Sequence, residues 1–327
     1  MIVLTGGAGF IGSCFLRRLN DEGIKDILVV DHLGNSDKWK NLVRKNFTDY
    51  LNKEEFLLKL NSNHYKGQIE AIIHLGACSS TTEIDVEYLM SNNVAYSKSI
   101  AQYSIQNDIR FIYASSAATY GDGSNGYSDL YNDMLEPLNG YGFSKQLFDL
   151  WILRNELEDK IVGLKFFNVF GPNEYHKGSM SSMVLKSYNQ FINNGSVKLF
   201  KSNSPLYKDG EQRRDFIYVK DCCEVLWQLL NNKKVNGIFN LGTGKSRNWN
   251  ELVSAVKNKL AVLDDKYTDC TIEYIDMPIN LRDQYQNYTE ADMTKLNKTD
   301  IQFSPLELED SISDYVENYL YKNYSIY

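Results

Sequence analysis

The sequence predicts an α/β fold in which a doubly wound parallel sheet is joined by a smaller, partly interleaved α/β domain. Three observations carry this expectation. A strand, a glycine-rich turn, a helix and a second strand fit within residues 1–31; short apolar runs then recur at intervals long enough for crossover helices; and the pattern loosens beyond Gly171 and Pro172. At 327 residues the chain suffices for roughly two domains of about 150 residues, with a large core that needs no disulfide or metal staples.

The elements follow in order. Residues 1–4 read as a short apolar strand, GGAGFIG as a turn, and 13–20 as a helix whose stripe includes Cys14, Phe15, Leu16 and Leu19. Residues 27–30 form a second apolar strand ending at Asp31, which completes one βαβ unit. Further apolar runs at 71–75, 109–113 and 161–167 have the spacing of parallel strands covered on both faces. Residues 1–170 therefore read as the main domain, with 211–250 returning to it through a strand at 238–241. Residues 171–210 and 251–327 read mainly as the smaller domain, with amphipathic helices at 249–260 and 311–321.

Composition narrows the partners. Thirty-five lysines and arginines against 42 aspartates and glutamates give a net charge of −7, which argues against a broad nucleic-acid surface while permitting local basic pockets. With 43% apolar and 24% charged residues the chain has the make-up of a soluble globule. No apolar run approaches the roughly 18 residues of a membrane span, and MIVLTGG lacks a basic leader, so a cytoplasmic protein without a membrane partner is expected. Cys14, Cys78, Cys222, Cys223 and Cys270 show no repeated zinc-site spacing, and no metal is expected.

Gly6, Gly9 and Gly12 sit directly between a strand and a helix. Glycines there permit the tight turn, the approach of backbone to a pyrophosphate and close helix–sheet packing, while free helix amides face the anion. This is a Rossmann dinucleotide fingerprint, with Phe10 and Ile11 inside it. Asp31 suits an adenosine ribose, the usual argument for NAD; a 2′-phosphate needs compensation from Lys38, with His32 beside it, so NADP and NAD both stay open. HLGACS follows an apolar strand and passes beneath the cofactor, bringing Leu75, Gly76, Ala77, Cys78 and Ser79 close to it. His74 reads as a packed structural histidine. Cys78 reads as a small buried filler, with no neighbouring base to make a thiolate.

In YGFSK, Tyr141 and Lys145 lie one helical turn apart on one side. A neighbouring ammonium favours phenolate formation, so Tyr141 is positioned to take a hydroxyl proton as hydride leaves carbon, Lys145 to hold the nicotinamide ribose, and Ser116 to hydrogen-bond the reacting oxygen. Tyrosine occurs 23 times, so the spacing gains its specificity from the glycine turn and the serine-bearing strand end.

Together with ILVVDHL, HLGACSSTTE, YASSAATYG, KFFNVFGPNEYHKGSM, RRDFIYVKD and GIFNLGTG, these residues make the chain resemble the extended short-chain dehydrogenase/reductases, and within them the ADP-heptose 6-epimerase family. The likeness covers almost the whole chain. Ser115-Ser116-Ala117-Ala118 lacks the acidic residue that a sister 4,6-dehydratase places beside its active-site hydroxyl. The resemblance implies inversion at C6 of ADP-D-glycero-β-D-manno-heptose through a transient 6-ketone with retained NADP, NAD remaining possible. It implies Tyr141 and Lys177 as paired acid/base groups. It also implies cofactor contacts from Lys38, Lys53, Asn92, Val169 and Lys177, and a nucleotide-heptose site of Asn168, Ser179, Lys186, Arg214 and Tyr285. Phe200, Lys201, Ser202 and Asn203 are placed near the diphosphate or base. His32 and Lys186 stand where the family has asparagine and histidine. A homo-oligomer is implied, pentamer among the possible sizes, making precursors of bacterial surface polysaccharide. The alternatives are an epimerase acting on another sugar carbon such as C4, a net dehydrogenase, and a non-catalytic NAD(P)-binding protein.

Overall fold

The computed structural model describes residues 1–130, 132–282 and 285–327. Its strands are β1 (Ile2–Thr5), β2 (Ile27–Asp31), β3 (Asp49–Asn52), β4 (Ala71–His74), β5 (Arg110–Ser116), β6 (Ile161–Phe166), β7 (Asn168–Phe170), β8 (Ser196–Phe200), β9 (Arg213–Tyr218), β10 (Gly237–Leu241), β11 (Ser246–Asn248) and β12 (Thr271–Ile275). Seven of them form one sheet in the order β3-β2-β1-β4-β5-β6-β10, and every neighbouring pair is parallel. Strand order reverses between β1 and β4, which opens a crevice at their carboxyl ends, the place where such sheets take ligands.

Period-two geometry explains the continuous apolar runs. Val3, Leu28, Ile72 and Phe111 face one core with Phe56, Ile100 and Ile152. Their neighbours Leu4, Val29, Ile73 and Ile112 face the other, with Phe15, Leu16, Val225 and Leu229. A strand buried on both sides has no polar face to interrupt its sequence.

The helix after the glycine turn spans Phe10–Asp21, beginning within the motif rather than at Ser13. Gly6 has φ +69°, and a Cβ there would lie 2.6 Å from the Gly76 backbone nitrogen; a Cβ on Gly12 would lie 2.1 Å from the Gly6 carbonyl oxygen. Only bare backbone fits at this crossing.

Three expectations change. β3 is an additional edge strand whose only buried residue is Leu51, so it carries almost no apolar signal. Of residues 211–250, only helix Val219–Asn231, packed on Phe10–Asp21, and β10 belong to the main layer. β9 instead pairs with β7 and β11 in a separate three-stranded sheet, and β8 pairs with β12. The helix expected over 311–321 runs Leu308–Tyr315 and continues as a π-turn at Val316–Leu320. Among the described residues no helix is long and apolar enough to cross a membrane.

His74 closes the β1–β4 junction. Its Nδ1 lies 2.6 Å from Thr5 Oγ1 and its Nε2 2.8 Å from Ser97 Oγ. Burial, aided by the Lys145 charge, pushes its pKa down to about 3 from an ordinary 6.5. The unfolded chain therefore binds this proton first on acidification. His74 contributes stability above about pH 6.5 that is lost progressively as pH falls toward 3. Urea midpoints at pH 7 and pH 5 should converge in His74→Gln relative to the parent chain; an unchanged gap contradicts the assignment.

Candidate active site

The crevice is a cavity of about 660 Å³ whose floor is Gly6, Gly9, Phe10, Ile11 and Gly12. Gly9 caps the following helix without a side-chain hydrogen bond, and the helix has no acidic residue in its first turn, so its amides stay available to an anion. Asp31, His32 and Lys38 form one wall, and Leu75, Gly76, Ala77, Cys78 and Ser79 another. Asp31 Oδ2 accepts the Ala8 N–H at 2.9 Å, and Oδ1 accepts the Lys38 ammonium at 2.6 Å. Lys53 and Asn92, which contact each other, line an adjoining recess of about 140 Å³ shared with Asp31 and Gly76. The bare-backbone floor, free helix amides and acidic strand end fit a dinucleotide. Cys78 is half-buried and opens onto the cavity, so it is a wall residue rather than the buried filler its sequence suggested.

Ser116, Tyr141 and Lys145 meet in the same cavity. Helix Gly140–Arg154 starts at Asn139, whose side chain accepts the Gly142 N–H at 2.8 Å. A Cβ on Gly142 would lie 2.6 Å from Ala118 O, so glycine lets the helix press against the turn following Ser116. Burial raises the Tyr141 phenol above its ordinary pKa, and a hydrogen bond with Ser116 opposes the rise. The lowering expected from Lys145 is not realised. Its ammonium donates to Ala114 O at 2.8 Å, and burial brings its own pKa down to about 8, with Asp149 opposing.

One turn further along that helix, Asp149 supports the pair from behind. It is fully buried against Lys165 at 2.7 Å. It also accepts Tyr113 Oη at 2.8 Å and Ser115 Oγ at 2.7 Å, while Lys165 donates to Thr119 Oγ1 at 2.8 Å. Tyr113 and Ser115 flank Ala114, so this network fixes the carbonyl that orients Lys145. The continued four-residue spacing Tyr141, Lys145, Asp149 was the available sequence signal; the buried partner Lys165, 16 residues on in the next strand, was not.

A second cavity of about 610 Å³ contains Asn168, Lys186, Phe200, Trp249 and Tyr285. It shares Phe167, Val169, Lys177 and Met180 with the first. Lys177 therefore stands at their common boundary, its ammonium 5.4 Å from the Phe10 ring centroid. Burial lowers its pKa; Glu174 opposes and Lys186 adds to the lowering. Lys186 donates to Ser179 O at 2.7 Å.

Ser179, Lys201, Ser202, Asn203 and Arg214 line neither cavity. Lys201 is exposed and pairs with Asp276 at 3.0 Å. Arg214 is 6% exposed. Its guanidinium lies 5.7 Å from the Trp249 ring and 5.1 Å from that of Tyr285, and it donates to Arg213 O at 2.8 Å and to Gln286 O. Trp249 Nε1 donates to Tyr285 Oη at 2.9 Å, so Arg214 backs the two aromatic wall residues. Trp249 was read only as part of an amphipathic helix; its position at the first helical residue, after an Asn248 cap, turns it toward the cavity.

This architecture is that of a Rossmann-type enzyme that uses a nicotinamide dinucleotide. The chain belongs to the NAD dependent epimerase/dehydratase family, whose model matches residues 2–242. It is 52% identical over 322 residues, 98% of each chain, to an ADP-L-glycero-D-manno-heptose-6-epimerase of Nitratidesulfovibrio vulgaris. A Fusobacterium nucleatum protein of the same name is 46% identical over 98% of each chain. Among solved structures, the Helicobacter pylori ADP-L-glycero-D-manno-heptose-6-epimerase superposes with a TM-score of 0.80 at 29% identity, covering 97% of this chain and 95% of that one. A UDP-N-acetylglucosamine 4-epimerase of Methanobrevibacter ruminantium gives 0.81 at 26% identity, covering 98% of both chains.

Replacing Asp149 by asparagine leaves the Lys165 ammonium buried without its counter-charge, a loss of about 3–5 kcal/mol. Chemical denaturation of Asp149→Asn should register that loss; a change under about 1 kcal/mol contradicts the buried pairing.

Proposed function

We propose that this chain inverts C6 of ADP-D-glycero-β-D-manno-heptose to give the L-glycero epimer. The observation that carries the reading is the boundary position of Lys177, shared by the cavity that holds Tyr141 and the cavity that offers room for a sugar. Whole-length similarity to proteins named for that reaction supports the substrate.

Gly6, Gly9 and Gly12, with Asp31 and Lys38, would hold a nicotinamide dinucleotide, which would supply reversible hydride exchange at C6. Tyr141 takes the C6 hydroxyl proton, with Ser116 hydrogen-bonding the oxygen that becomes the ketone. Lys145, oriented by Ala114 O, holds the ribose next to the phenol. A single rigid phenol cannot reach both faces of one carbon at about 3 Å. Lys177 exchanges the proton on the other side, where its buried amine has a lowered pKa.

The sugar occupies the second cavity against Asn168, Lys186 and Tyr285, with Phe200 toward the nucleotide and Arg214 bracing Trp249 and Tyr285. Ser179 contributes through the carbonyl that holds Lys186, and Lys201, Ser202 and Asn203 approach the diphosphate or base from the rim. On the cofactor side, Lys38 neutralises Asp31, which favours NADP by removing the repulsion of a 2′-phosphate. The same reading extends to a cytoplasmic homo-oligomer.

Tyr141→Phe should retain cofactor by native mass spectrometry while losing about 10²–10⁴-fold in turnover. Lys177→Met should likewise slow inversion at C6 by about 10²–10⁴-fold, read by product NMR; full epimerisation by either variant contradicts its role. Neither the parent chain nor the variants should release stoichiometric NAD(P)H, which separates an epimerase from a dehydrogenase. Faster turnover of a C4 substrate in a nucleotide-sugar panel would overturn the heptose assignment.

A further inference from the structure

The loop that carries Lys177 is pinned by the residues that precede it. Asn173, with φ +73°, donates to Ser13 Oγ at 2.9 Å, and its carbonyl accepts Asn41 Nδ2 at 3.0 Å. Tyr175 Oη donates to Ser325 O at 2.9 Å. Between them Glu174 is wholly buried. Its Oε1 accepts Ser182 Oγ at 2.7 Å and the Gly171 N–H at 3.3 Å, and its Oε2 accepts the Ser182 N–H at 2.5 Å. One carboxylate thus bridges the start and end of the segment 171–182. Ser182 also caps helix Met183–Asn194 by accepting the Leu185 N–H at 3.2 Å, and the Lys177 N–H donates to the Glu174 carbonyl at 3.0 Å.

A buried carboxylate loses its hydration and persists only where donors and charges replace it. Holding a loop closed needs no charge; a neutral amide accepts hydrogen bonds in the same place. The ionisable groups that face Glu174 explain the acid. Lys177 and Lys186 both feel it as an opposing charge, and Tyr315 faces it from helix Leu308–Tyr315. His176, whose pKa burial lowers to about 4 with Lys38 and Lys177 adding to the fall, is the further titratable neighbour of Lys177.

We propose that Glu174 is a positioning residue for the proton exchange at Lys177: its carboxylate closes the 171–182 loop and supplies the counter-charge that holds the ammonium at the boundary of the two cavities. This rests on the assignment of Lys177 above. Glu174 itself lines neither cavity.

The test uses the purified holoenzyme and Glu174→Gln, alone and combined with Lys177→Met. Glu174→Gln should keep its cofactor and its fold by circular dichroism. Its kcat for C6 inversion should fall roughly tenfold or more while KM changes less than about threefold. Removing the carboxylate removes what raises the Lys177 pKa, so the limb of the pH–kcat profile due to that lysine should move to lower pH. In the Lys177→Met background the same substitution should add no further loss to the residual turnover. Parent-like turnover, loss of cofactor, or an equal loss without Lys177 overturns the inference. If Glu174→Gln does not fold, Ser182→Ala leaves the carboxylate but takes one donor; it should give a smaller fall in kcat in the same direction, and unaltered kinetics there likewise overturn it. Full epimerisation by Lys177→Met alone removes the lysine's role, and Glu174's with it, whereas an impaired Lys177→Met beside an unimpaired Glu174→Gln refutes Glu174 only.

Discussion

The site depends on a carboxylate and an ammonium held together where water cannot reach. Asp149 and Lys165 are both fully buried, 2.7 Å apart. Their desolvation is tolerable because the remaining lone pairs and protons are met by Tyr113, Ser115 and Thr119. That requirement joins helix Gly140–Arg154 to β5 and β6 at one point. The stretch of the helix from Tyr141 to Lys145 is then aligned with Ala114 and Ser116 on the strand beside it.

The same principle recurs with different partners. Asp31 is met by Ala8 and Lys38, and Asp215 by the amides of Thr243, Gly244 and Ala291. Glu174 is met by Gly171 and Ser182. Asp215 collects its donors from segments distant in the chain, Asp31 from one preceding and one following turn, and Glu174 from the two ends of its own loop. Apolar packing builds the layers; these acids set the loops that the layers leave at their carboxyl edge. Burial moves the pKa values of Tyr141, Lys145 and Lys177 toward their neutral forms, the direction that suits groups exchanging protons.

What could be read from sequence divides along the same line. The glycine turn, the strand ends at Asp31 and His74, and the Tyr141–Lys145 spacing are local patterns, and family membership agrees with the fold they imply. β3 escaped because an edge strand buries only Leu51. β9 was not read as a strand: residues 211–250 were assigned to the main domain through 238–241 alone, and no local pattern names β7 as the neighbour of β9. Asp149 and the stacking of Arg214 escaped for a related reason: their surroundings come from residues far along the chain, whereas Glu174 is met within its own loop, where no repeating pattern marks a buried acid. Cys78 was misjudged because small residues beside a strand look alike whether they fill a core or line a cleft.

Because Lys177, Val169, Phe167 and Met180 are a party wall between the two chambers, neither chamber can be redesigned as a separate module. In the proposed arrangement, a bulkier sugar accommodated by moving that wall also changes the space beside the nicotinamide, and a substitution made to exchange one dinucleotide for another reaches the sugar by the same route. Selectivity for the two ligands is thus inherited jointly.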